Sequence, residues 1–71
     1  MKLPTVTQKQ VLEFIRKYMK ENGFSPSVID IADNFEIHPN GAQMHLNAME
    51  KKGMITRVPK KARTIQIVEG K

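Results

Sequence analysis

Two runs of apolar residues at helical spacing stand only three residues apart, and that gap constrains the fold more than any other feature of the chain. Val28, Ile31, Ala32 and Phe35 fall at i, i+3, i+4 and i+7, the inward stripe of one helix. Glu36, Ile37 and His38 follow, and Pro39 then opens a second run in which Ala42, Leu46, Met49 and Gly53 share one side of a helical wheel, with His45 at its margin. Proline suits the first position of a helix, where its missing amide has no partner, so His38 becomes the cap and the helix is expected over residues 39–52. Two helices joined by so short a turn must cross and bury their stripes together. Ser27 is the expected cap of the first, with Asp30 well placed at its positive end.

Upstream, Thr7 and Gln10 have the form of a capping box, and Val11, Leu12, Ile15, Tyr18 and Met19 recur at three-and-four spacing. Asn22-Gly23 ends that helix, expected over residues 7–22, and the residues before Pro26 are held extended. Gly53 is expected to end the third helix, and residues 54–58 and 64–68 then read as two short strands around Pro59-Lys60-Lys61-Ala62-Arg63. The expected fold is therefore α+β and mainly α. A single domain over residues 1–71 places three helices, the last two a helix-turn-helix, before a two-stranded C-terminal wing.

A chain of 71 residues encloses too little volume for a large catalytic cavity. It has no cysteine and only two histidines, which leaves no thiolate zinc site and no disulfide framework, so no metal or cofactor is expected. No apolar run approaches the ~20 residues that span a bilayer, and the first residues lack the apolar centre of a signal peptide. A cytoplasmic protein with neither a membrane partner nor a small-molecule substrate is expected. Ser25 and Ser27 lie at a junction and a cap with no lysine placed as a base, so catalysis is not expected either.

The net charge of +5 is local. Lys51, Lys52, Arg57, Lys60, Lys61 and Arg63 make up six of the twelve cations, and no acid interrupts them, which leaves the rest of the chain nearly neutral. A block of this kind is commonly a solvated face; mounted on a wing beside a helix, it fits a phosphate backbone. The side of the third helix opposite its apolar stripe carries Asn40, Gln43, Met44, Asn47 and Lys51, with Gly41 at the edge. Asn and Gln offer a donor beside an acceptor, matching the N6 and N7 edge of adenine in the major groove, and Met44 suits a thymine methyl. Phosphate contacts then fall to Lys51, Arg57, Lys60, Lys61 and Arg63, and to the free amides of the helix that Ser27 caps.

The segments TQKQVLEFIRKYMKENGFSPSVIDIA, HPNGAQMHLNAMEKKGMI and RVPKKARTIQI resemble the N-terminal DNA-binding domain of LexA-type repressors over almost the whole chain. The resemblance rests on T-x-x-Q, N-G-x-x-P-S, H-L-x-A-x-x-x-K-G-x-I and R-x-P-x-K-x-R-x-I taken in that order. It implies a winged helix-turn-helix bound to double-stranded DNA, with His38, Asn40, Gly41, Gln43 and Met44 toward the bases and Ser27, Lys60, Lys61 and Arg63 near the backbone. His38 stands where the family often has serine, Gln43 and Met44 replace the family's base-contacting residues, and the turn is one residue shorter. In that family a dimerising, self-cleaving domain follows the hinge, and these residues do not supply it; the expected partner is double-stranded DNA, with a homodimer on a palindromic site the further possibility, paired by another route. The competing expectation is a winged-helix module docking an acidic protein, and RNA binding ranks third because the aromatic residues fall largely on core-facing positions.

Overall fold

The computed structural model describes residues 7–58, 60–61 and 63–68. Three helices come first: α1 (Gln8–Asn22), α2 (Val28–Phe35) and α3 (Pro39–Lys51). Strands β1 (Ile55–Thr56) and β2 (Gln66–Ile67) pair antiparallel, with Ile55 opposite Ile67 and Thr56 opposite Gln66. The expected three-helix winged helix-turn-helix is the observed architecture.

Each helix start is set by its own side chains. The Thr7 hydroxyl accepts from the Gln10 amide at 3.1 Å while Gln10 Oε1 accepts from the Thr7 amide at 2.9 Å. Ser27 and Asp30 repeat the arrangement at 3.1 and 3.0 Å, so both capping boxes satisfy donors that a helix start otherwise leaves open. At α3, Nδ1 of His38 accepts from the Asn40 amide at 3.1 Å and Pro39 occupies the first turn. The histidine is a working cap.

The ends follow one logic with three different residues. Gly23 has φ 82° and donates to the Met19 carbonyl at 2.8 Å. After α3, Gly53 has φ 80°, and the amides of Gly53 and Met54 return to the carbonyls of Glu50 and Met49. After α2 the same paired return runs from Glu36 and Ile37 to Asp33 and Ala32, and here the left-handed residue, φ 56°, is Glu36. A residue with a Cβ pays about 1–2 kcal/mol for that conformation, so the tight turn is held by its bonds and by Ile37 packing on the core.

Those turns bring three apolar stripes together. Val11 and Ile15 of α1, Ile31 and Ala32 of α2, and Ala42, Leu46 and Met49 of α3 are buried with Ile55 and Ile65 from the wing. Phe14 bridges α1 and α2, its ring 5.7 Å from Tyr18 and 5.8 Å from Phe35. Phe24 departs from the expected core role of the aromatics: 48% of it is exposed.

Two other expectations are corrected. Gly53 ends α3 in the left-handed position, as expected, but it lies beyond the helix and exposed, so it does not belong to the inward stripe where the helical wheel places it. The strands are two residues each instead of five. The ladder gives way because the Val58 amide donates to the Thr64 hydroxyl at 3.0 Å, and Lys60 and Arg63 take positive φ of 65° and 59°. Side-chain bonding thus replaces strand pairing near the tip.

Glu36→Gly removes the side-chain cost of the left-handed turn, partly offset by the freer unfolded chain, and is expected to stabilise the domain by about 0.5–1 kcal/mol. Thermal unfolding should show a rise in Tm of a few degrees.

Candidate nucleic-acid interface

The outer face of α3 is built as its periodicity requires. Asn40, Met44, Asn47 and Lys51 are exposed, and Gln43 and Gly41 are half-buried. Met44 is 69% exposed. A Cβ added at Gly41 would meet only Ile37 Cδ1 at 3.9 Å, ordinary contact, so nothing inside the chain requires glycine there. His38 is exposed at the leading end, with Nδ1 engaged as the cap.

The wing meets this face across an open groove lined by Val28, Gln43, Glu50, Arg57, Lys60 and Lys61. The structure therefore brings one amide of α3 and two wing lysines to a single concavity. Ser27 lies at the start of α2, half-buried, and its hydroxyl already accepts from Asp30.

The six clustered cations divide into two kinds. Arg57 turns back onto α3, where Glu50 Oε1 accepts from Nε at 3.2 Å and from Nη2 at 3.1 Å, and its side chain is only 16% exposed. Arg63 turns the other way, donating to Asp30 Oδ2 at 3.0 Å, to the Tyr18 hydroxyl at 3.1 Å and to the Ser25 carbonyl at 3.3 Å. Its guanidinium also lies 5.2 Å from the centre of the Phe24 ring, which explains why that exposed aromatic is placed as it is. Lys52 donates to Gln8 Oε1 at 3.0 Å. Among the described residues, Lys51, Lys60 and Lys61 have no side-chain partner and are exposed.

Sequence reasoning missed the residues that hold the two arginines. Glu50 lies one turn beyond Asn47 on α3, a spacing that does signal a shared face. Asp30 was legible only as a helix-start acid. Tyr18, Phe24 and Ser25 meet Arg63 across about forty residues of chain, a distance no local pattern reports. Ser25 is buried, and its hydroxyl accepts from the Ile65 amide at 3.2 Å, fastening the second strand to the loop before α2.

The family model described as the LexA DNA binding domain matches residues 1–64. The chain belongs to the LexA DNA-binding domain family. It is 51% identical over 69 residues to a LexA repressor of Thermosipho melanesiensis, covering 97% of this chain and 35% of that protein. A LexA repressor of Thermosipho africanus is 52% identical over the same length and coverage, and one of Thermotoga maritima is 48% identical over 67 residues, 94% of this chain and 34% of that protein. The chain spans about a third of the length of these LexA repressors. Among the described residues no helix is long and apolar enough to cross a membrane.

In this LexA-family domain, Asp30 is the titratable group that links α2 to the wing. Its carboxyl is held below the ordinary 3.8 first by the Ser27 amide, with the Arg63 guanidinium and the Tyr18 hydroxyl adding to the effect against a partial desolvation. A lowered folded value means that Asp30 stabilises the fold above pH ~4 and that this contribution disappears as the pH falls through the folded value. Asp30→Asn should therefore cost about 0.3–1 kcal/mol near neutrality. Denaturant titrations should show the gap between the two proteins closing at acid pH.

Proposed function

We propose that this chain is a sequence-preferring binder of double-stranded DNA that acts in transcriptional repression, in the cytoplasm at the nucleoid. The outer face of α3 enters the major groove with His38, Asn40 and Gly41 leading, and Gln43, Met44 and Asn47 following along the base edges. Lys60 and Lys61 lie along one phosphate backbone, and Lys51 and the first turn of α2 at Ser27 approach the flanking strand. Arg57 and Arg63, expected from the sequence to meet phosphates, are assigned instead to holding the wing, because Glu50 already engages Arg57 through Nε and Nη2 and Asp30 engages Arg63 through Nη1. The observation that carries this reading is the shared groove: Gln43 faces the same concavity as two lysines without partners. The relatives, all named LexA repressors, support the same direction. Repression by two copies on a palindromic site follows from the two-fold geometry that helix-turn-helix readers use.

A protein-docking role draws support from Met44, whose 69% exposure suits an adaptable apolar contact. In the DNA reading the same side chain rests on a thymine methyl.

Fluorescence anisotropy with labelled duplexes separates the two. Affinity should fall steeply between about 50 and 200 mM salt, and Lys60→Ala or Lys61→Ala should weaken every duplex about equally and lower the salt slope by about one each. Asn40→Ala and Gln43→Ala should instead cost about 1–3 kcal/mol of discrimination between sequences. Equal affinity at both salt concentrations, or no binding with retention of an acidic protein, contradicts the proposal.

A further inference from the structure

Two amides on α3, those of Gln43 and Asn47, are not free to present either end. A guanidinium carries only donors, so the Asn47 atom that meets Arg57 has to be its oxygen. Arg57 Nη2 donates to Asn47 Oδ1. The same oxygen accepts from Gln43 Nε2 at 3.2 Å, one turn earlier on the helix. Orientation thus passes from a side chain that can only donate to two that could otherwise turn either way. Glu50 completes the arrangement by fixing the guanidinium from behind, through Nε and Nη2.

With both lone pairs of Oδ1 occupied, Asn47 has only its two Nδ2 hydrogens to offer a ligand. Gln43 directs one hydrogen back to Asn47 and keeps Oε1 together with its second hydrogen. We propose that Arg57 is a positioning residue for base specificity. It holds Asn47 as a donor-only reader that selects guanine, whose N7 and O6 both accept, over adenine, while Gln43 retains the donor–acceptor pair that adenine requires. This corrects the adenine preference expected of Asn47 from its residue type, and it rests on α3 being the helix that enters the major groove.

Binding-site selection from random duplexes, carried out on the 71-residue chain and its variants, tests the assignment. The parent should recover one position with guanine favoured by roughly 5- to 100-fold, and Asn47→Ala should lose that preference. Arg57→Gln, which can present either a donor or an acceptor to Asn47, should relax the same position to guanine and adenine while other positions keep theirs. Arg57→Lys, still a donor only, should retain guanine. In the Asn47→Ala background, Arg57→Gln should change nothing further at that position. Asn47→Asp keeps the bond to Arg57 but offers only acceptors, so its preference should move to cytosine N4; this variant and Arg57→Lys decide the matter if Arg57→Gln fails to fold by circular dichroism.

The inference is overturned if Arg57→Gln weakens all duplexes by one factor, lowers the salt slope by about one and leaves the guanine position intact, which makes Arg57 a phosphate contact. It is also overturned if Asn47→Asp keeps guanine. Failure of the parent to select any duplex sinks the DNA-binding reading itself, a different outcome from either.

Discussion

The wing depends on side chains from the helices, because its own ladder has two residue pairs and a hairpin that short does not hold itself in water. Magnitudes separate the contributions. Ile55 and Ile65 are buried at 0% and 4% exposure, and fully burying such a side chain is worth about 1.5–3 kcal/mol, so apolar packing keeps the strands on α3 and α1. Ion pairs at the surface, such as Arg57 with the 42% exposed Glu50 and the 42% exposed Arg63 with Asp30, add little stability by comparison. What they supply is direction: one arginine reaches to α3 and the other to α1 and α2.

That division changes what the positive block means. Five of the six cations are expected from the sequence to meet phosphates, yet the structure engages two of those five, Arg57 and Arg63, with carboxylates of the same chain, and the sixth, Lys52, with Gln8. The lysines left without partners, Lys51, Lys60 and Lys61, flank the outer face of α3. Arginine suits the internal role because its planar fork can close on one carboxylate, as Arg57 does on Glu50 through Nε and Nη2, whereas lysine is a mobile point charge suited to a polyanion.

Local chemistry made the helices legible. Thr7 with Gln10 and Ser27 with Asp30 are capping boxes in the sequence and in the structure, and the apolar stripes of α2 and α3 bury Ile31, Ala32, Ala42, Leu46 and Met49, with Val28 and Phe35 half-buried against them. Gly53 was legible as the residue that ends α3, which its positive φ bears out, but not as a member of the inward stripe, because a helical wheel extends past the last turn. The strands were overestimated because alternation of Ile65 and Ile67 carries no information about Thr64, whose hydroxyl takes the Val58 amide out of the ladder. The outer face of α3 could be listed from periodicity, but not the way its amides point. That depends on Arg57, ten residues away from Asn47 and on another element.

The proposed surface for duplex DNA joins the outer face of α3 to the wing lysines, and nitrogen-15 NMR titration of the labelled chain with an operator-like duplex maps it residue by residue. The amides of Asn40, Gly41, Gln43, Met44, Lys60 and Lys61 and the side-chain amide of Asn47 are expected to shift together with increasing DNA, while the exposed face of α1 at Lys9, Glu13 and Lys17 stays unchanged. Shifts confined to α1, with α3 and the wing silent, would contradict it.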